Sequence, residues 1–174
     1  MHEVILVDEA DLPLGGASKL SAHQNGGKLH RAFSIFIVNN AGQMLLQRRS
    51  RAKYHFGGLW TNACCGHPQP GQDLFAAARR RLGEEFGFTT DLREMFSFIY
   101  RASDPVSGLT EHEFDHVLHG QFDGLLRPAS EEIEDWKWIA CDALLHEVST
   151  SPHHYTPWFR LALQRVLHAL KLEP

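Results

Sequence analysis

The sequence predicts an α+β fold, with helices packed on a mixed β-sheet in one domain spanning residues 1–174. Short apolar runs bounded by turn residues recur along the chain, as strands do. An amphipathic pattern in mid-chain and a second at the C-terminal end read as helices. No internal repeat, low-complexity linker or break in composition divides the 174 residues, a length that suits one substantial core.

Taken in order, Val4 to Val7 is a short apolar strand. Asp8 to Gly16 is turn-rich, and Ala17 to Leu20 offers a hairpin partner. Ser21 to Lys28, with Asn25-Gly26-Gly27, reads as a polar loop holding His23, and His30 stands where the next strand begins. Phe33 to Val38 is a strong strand. Asn39-Asn40-Ala41-Gly42 is a turn, and Gln43 to Arg49 is expected to run back as a hairpin. Gly57-Gly58 leads through Trp60 into Thr61 to His67. The first helix is expected from Gln72 to Phe86, closed by Gly87, because Leu74, Ala78, Leu82 and Phe86 recur every fourth residue. Leu92 to Tyr100, Glu113 to Phe122 and Trp136 to Ile139 read as strands. Asp142 is expected to cap a short helix over Ala143 to Val148. Thr156 caps a last helix with Pro157 in its first position, running to about Leu170 with Phe159, Leu163, Val166 and Leu170 inward.

Composition excludes several classes. Hydrophobic residues are 43% and charged residues 22%, ordinary for a globular protein. A net charge of −4 gives no pull toward nucleic acid or anionic membrane. No signal peptide and no spanning segment are evident, so a cytoplasmic location is expected. Three cysteines, two of them adjacent at Cys64-Cys65, make a poor disulfide framework and fit a reducing compartment.

Chemistry concentrates in a few places. Cys65 and His67 stand two apart and share one face of a strand end. Glu111 and Glu113 do the same, roughly 6.5–7 Å apart by strand rise, either as a solvated face or as ligands converging on a divalent cation. Glu84-Glu85 in the last turn of the helix oppose its dipole. Either Arg80 and Arg81, four residues earlier, or a cation compensates them. His23, His30 and His67 supply imidazoles, which with carboxylates suit Zn²⁺, Mn²⁺ or Fe²⁺ better than Mg²⁺. The spacing His23-x6-His30 is no standard zinc pattern, and without a second Cys pair a structural zinc ribbon is rejected. Nearby arginines or a metal on His67 would lower the Cys65 pKa. Arg48, Arg49, Arg51, Lys53 and Arg79 to Arg81 suit a di- or triphosphate, held by side chains and metal because no Walker loop is present.

These residues resemble a known family. Gly66-x5-Gln72-x7-Arg80-Arg81-Leu82-Gly83-Glu84-Glu85-Phe86-Gly87-Phe88 looks like an altered Nudix box, with Gln72 and Arg81 where the usual form has Glu. Trp60-Thr61-Asn62, Cys65-Gly66-His67-Pro68, Tyr100-Arg101-Ala102, Glu111-His112-Glu113 and Pro157-Trp158 together resemble type I isopentenyl-diphosphate isomerase, in order from Val4 to Trp158. The resemblance implies a Nudix-like fold and a reversible shift of a carbon–carbon double bond through a tertiary carbocation.

It further implies roles. Cys65 and Glu113 would exchange protons with the alkene, Tyr100 would assist Glu113, and Trp158 would face the cation. His23, His30, His67, Glu111 and Glu113 would hold one divalent metal: Mn²⁺, Zn²⁺ or Mg²⁺. Glu85 and the main-chain carbonyl of Cys65 would hold a Mg²⁺ that arrives with the diphosphate. Lys19, Arg49, Lys53 and Arg81 would contact that diphosphate, so the change that removes hydrolysis at Arg81 supplies a phosphate grip. The implied partner is a small allylic or homoallylic diphosphate, bound by a monomer or weak dimer with no nucleic acid or membrane. The roles of Cys64 and Glu84 stay open. A Nudix diphosphohydrolase and a non-catalytic diphosphate-binding module are the alternatives, and Gln72 and Arg81 weigh against the first.

Overall fold

In the computed structural model, which describes residues 3–171, the sheet is organised around β3, His30–Val38. β3 pairs in parallel with β8, Thr110–Gln121, from His30↔Glu113 to Val38↔Gln121. Its other edge meets β1, Glu3–Val7, at Leu6↔His30 and β6, Cys64–Gly66, at Ser34↔Cys65. β7, Arg93–Ser103, runs antiparallel to β8. β4, Gln43–Arg49, pairs antiparallel with β9, Ile133–Ala140, and with the short β5, Trp60–Thr61. β2, Pro13–Ser18, closes the edge beside β1.

The expected β3–β4 hairpin is present only as a turn. Asn39 Oδ1 accepts the Ala41 and Gln43 N–H groups, and Gly42 takes φ +71°. Beyond it the strands share only Val38↔Met44. Both edges of β3 are taken by β8 and by β1 with β6, so β4 swings away to β9. The return from the first strand also begins earlier than expected, at Pro13. Part of the expected Ser21–Lys28 loop is helical: α1, Lys19–His23, starts where Ser18 Oγ accepts the Ser21 N–H at 3.3 Å.

Alternation on the strands makes two layers. Phe33, Ile35 and Ile37 face one side and pack with Leu45, Leu118 and α2, Leu74–Phe86. α2 starts at Leu74, two residues later than the expected Gln72, because Asp73 accepts the Ala76 N–H at 2.8 Å as N-cap. Gly87 ends it in the left-handed region at φ +74°. Phe36, Met44, Leu46 and Val117 face the other side, under α3, Cys141–Thr150, and α4, Pro157–Lys171. Asp142 lies in the first turn of α3 and caps nothing, since the N-cap is Ala140. On α4, Phe159, Leu163 and Val166 are buried as expected, together with Trp158, Ala162 and Leu167. No helix among the described residues is long and apolar enough to cross a membrane.

Candidate active site

Glu111, Glu113 and Asp115 alternate onto the same face of β8, which is the face of Val117 and the α4 layer. All three are buried, an expensive arrangement for carboxylates without partners. Imidazoles supply the partners of Glu111 and Glu113. His23 on α1, His30 at the start of β3 and His67 just after β6 bring their ligand atoms and those of Glu111 and Glu113 within 4.8 Å of one another. His23 Nε2 lies 2.8 Å from Glu111 Oε2, and His67 Nε2 lies 2.7 Å from Glu113 Oε1.

The ring orientations show what the cluster suits. His23 Nδ1 is 2.6 Å from the Lys19 carbonyl and His30 Nδ1 is 2.8 Å from the Lys28 carbonyl, so both Nδ1 atoms carry the proton as donors. Each ring then turns its Nε2 inward. The His30 Nε2 is buried, without a hydrogen-bond partner, and 3.6 Å from Glu113 Oε1. The His23 Nε2 bonds to Glu111, and although burial lowers the His23 pKa, Glu111 and the Lys19 carbonyl outweigh it and raise the pKa. Imidazole nitrogens turned onto two carboxylates are a donor set for a divalent ion, which would take the place of the protons between them. Burial drives the His67 pKa down to about 4, against the pull of Glu113, so its ring is neutral and able to ligate. Burial works to raise Glu111 and Glu113, yet their imidazole contacts outweigh it and hold both below the usual carboxylate range. The Tyr100 hydroxyl donates to Glu113 Oε2 at 2.5 Å.

The adjacent cysteines separate across the sheet. Cys64 is fully buried in the α2 layer with Ala77 and Ala78. Cys65 turns to the other layer. There Asn62 Nδ2 donates to its sulfur at 3.2 Å, and Ser34 Oγ lies 3.5 Å away. Ser34 is in turn 2.7 Å from Asp115 Oδ2. The nearby arginines do not bring the Cys65 pKa below its ordinary value. Burial, reinforced by Asp115, pushes it up to about 12, and the hydrogen bonds from Ser34 and Asn62 do not reverse this. Cys65 is a neutral thiol at ordinary pH. Asp115 is itself raised well above the usual range, by burial and by Glu113.

A cavity of about 640 Å³ joins these groups, within the range of small-molecule sites. Cys65, Tyr100, Glu113 and Trp158 line it, together with Lys19, Arg49, Lys53, Arg81 and Glu85. Trp158 is almost fully buried and stacks edge-on to Phe56, with the Arg49 guanidinium 5.4 Å from its ring centroid. Arg49 also donates to the carbonyls of His55 and Phe56 at 3.2 and 3.1 Å. Arg81 pairs with Glu84 at 2.7 Å and, more closely, with Glu85, and Lys53 meets Glu132. The arginine compensation of Glu84 and Glu85 is therefore present, with Arg80 2.6 Å from Glu84. Burial pulls Lys53 down to about 8, partly offset by Glu85.

The chain has relatives. The NUDIX domain family matches residues 28–159. The isopentenyl-diphosphate Delta-isomerase 2 of Aromatoleum aromaticum is 48% identical over 172 residues, covering 98% of this chain and 89% of its own length. The isopentenyl-diphosphate Delta-isomerase of Serratia proteamaculans is 48% identical over 170 residues, covering 98% of this chain and 93% of its own. The chain belongs to the isopentenyl-diphosphate Delta-isomerase family. Solved structures agree on the Nudix fold of that family. The protein DR0079 of Deinococcus radiodurans superposes with a TM-score of 0.78 at 21% identity, over 94% of this chain and 98% of that one. A MutT protein of Methanosarcina mazei does so with a TM-score of 0.68 at 19% identity, over 82% and 96%.

Every site residue that the isomerase resemblance picks out lies in the imidazole–carboxylate cluster or on the cavity wall. Asp115, Ser34 and His55 join the site beside them. Asp115 continues the two-residue period of Glu111 and Glu113, a signal present in the sequence. Ser34 faces Cys65 only through the β3–β6 pairing. His55, whose Nε2 contacts Glu111 Oε1, lies in a loop where no period exists.

Proposed function

We infer that this protein interconverts isopentenyl diphosphate and dimethylallyl diphosphate. The observation that carries the reading is a half-buried neutral thiol and a Tyr100-bonded carboxylate on the wall of one cavity, in a chain nearly half identical to isopentenyl-diphosphate Delta-isomerases. The reaction needs one proton added to the terminal methylene of the alkene, which leaves a tertiary cation. A second proton then leaves the carbon on the diphosphate side. An alkene is a very weak base, so the acid must be held close in a dry pocket. Cys65 and Glu113 exchange these protons, one adding and one removing, with the parts reversed in the reverse direction. Asn62 and Ser34 fix the thiol, and the Tyr100 hydroxyl fixes one oxygen of Glu113. The indole of Trp158 faces the cation, a contact worth about 2 kcal/mol when desolvated.

Lys19, Arg49, Lys53 and Arg81 take the diphosphate at the other part of the cavity. Arg81 and Lys53 exchange carboxylate partners for phosphate oxygens of similar charge, so their pairs with Glu84, Glu85 and Glu132 keep them extended until substrate arrives. A divalent ion among His23, His30, His67, Glu111 and Glu113, with a Mg²⁺ at Glu85 and the Cys65 carbonyl, supplies positive charge to the buried carboxylates and to the diphosphate.

Incubation with isopentenyl diphosphate and Mg²⁺ in heavy water tests the reading. Deuterium-labelled dimethylallyl diphosphate is the expected product. Release of inorganic phosphate would make the protein a hydrolase, and neither product would make it a binding module.

A further inference from the structure

One buried polar side chain beside the metal centre has no part in the account above. His55 lies between β4 and β5, is 5% exposed, and touches Glu111 Oε1 with its Nε2. The five ligand atoms converge within 4.8 Å of one another, and His55 is not among them.

The two imidazoles on Glu111 are not equivalent. His23 gives its Nδ1–H to the Lys19 carbonyl, so the Nε2 that lies 2.8 Å from Glu111 Oε2 is the atom it can offer to an ion. His55 has no such tie, because its Nδ1 is buried and makes no hydrogen bond. Its single proton goes to Nε2, where a carboxylate oxygen accepts it. One oxygen of Glu111 is therefore held by a donor outside the five ligands, and the other faces the centre.

The backbone holds His55 to this task. Arg49 donates to its carbonyl and to that of Phe56. Phe56 donates its N–H to Asp104 Oδ2 at 3.1 Å and sits at φ +49°, in the left-handed region that a phenylalanine occupies only when its surroundings impose it. A loop fixed at three points carries the ring, and a carboxylate ligand oriented by such a fixed donor keeps its geometry.

We propose that His55 is a positioning residue of the metal centre, whose Nε2–H holds Glu111 Oε1 and so aims Oε2 at the ion. The proposal rests on the reading of the His/Glu cluster as a divalent-ion site. It assigns His55 no contact with the ion and none with the substrate.

Binding of Mn²⁺ to the full chain, followed by its EPR signal, tests this with two variants. His55→Gln keeps an N–H donor in reach of Oε1, and His55→Leu keeps the bulk without the donor. The Leu variant is expected to bind Mn²⁺ about 10- to 100-fold more weakly, and the Gln variant to recover most of that loss. At saturating Co²⁺ the visible bands should keep their positions in both variants, since the ligand set is unchanged. Melting temperatures of the metal-free variants show whether either has lost its fold. Wild-type affinity in the Leu variant, or equal losses in both, overturns the proposal. Displaced Co²⁺ bands would make His55 a ligand and overturn it too. If the wild-type chain binds neither ion, the metal-centre reading fails first, and with it the role of His55.

Discussion

Cys64 and Cys65 share one chemistry and differ in which layer receives them, and that difference assigns the thiol. Cys65→Ala is expected to lower turnover by about 10²–10⁴-fold, the usual contribution of a positioned proton carrier. Cys64→Ala should retain most activity and cost about 1 kcal/mol of stability, the price of a small cavity against Ala77 and Ala78. Steady-state kinetics with thermal melts on both variants decide it, and an inactive Cys64→Ala would reverse the assignment. This distinction is legible in sequence: Cys65 and His67 share a face by the two-residue period, and Cys64 must then point away. The same period joins Glu111 to Glu113. What periodicity does not reach is Ser34, which meets Cys65 only because β3 and β6 pair in one register, and His55, placed by loop hydrogen bonds.

Elements whose order comes from local pattern are legible, and elements placed by distant pairing are not. The cap at Asp73 and the stop at Gly87 belong to α2 alone. The parallel alignment of β3 with β8 spans more than eighty residues of chain, and no turn signal announces it. The loop between β4 and β5 also depends on a distant partner. Asp104, in the turn after β7, accepts the Val106 N–H at 3.0 Å, the Ser107 hydroxyl at 2.8 Å and the Phe56 N–H. Burial would raise its pKa, but these donors outweigh burial and hold it below the ordinary value. A depressed carboxylate contributes stability above its unfolded pKa, about 3.9, and loses it as pH falls through the folded value. Asp104→Asn is therefore expected to cost about 1–2 kcal/mol at pH 7. The gap from wild type should narrow as pH is lowered below about 4. Melts of both proteins at pH 7 and in acid check this, and a gap independent of pH would remove the carboxylate from the argument.

At the scale of the molecule, the imidazole–carboxylate centre joins α1 to strands that the sheet already pairs, β3 with β6 and β8. It draws one ligand from α1, one from the start of β3, one from the exit of β6 and two from β8. Of these α1 is the weakest, since five residues are too few to hold a helix without outside contacts. Its His23 belongs to the centre and its Lys19 to the cavity wall, so what loosens one displaces the other. Without an ion, Glu111 and Glu113 repel across the same face, and the histidines and the Tyr100 hydroxyl offset them. An ion that binds the folded chain alone stabilises it by about 4 kcal/mol when present at a thousand times its dissociation constant. For a chain of this size that amounts to a melting shift of about 10 °C. Exhaustive chelation is thus expected to lower the melting temperature by that order and to abolish turnover. Hydrogen exchange should quicken first in α1 and at the Glu111 end of β8, while β4, β9 and α4 keep their protection. Because Lys19 travels with His23, diphosphate affinity should fall in the same step, and added Mn²⁺ or Zn²⁺ should restore all three properties together. A chelated protein with unchanged melting and unchanged exchange in α1 would show that the fold holds these five side chains together without an ion.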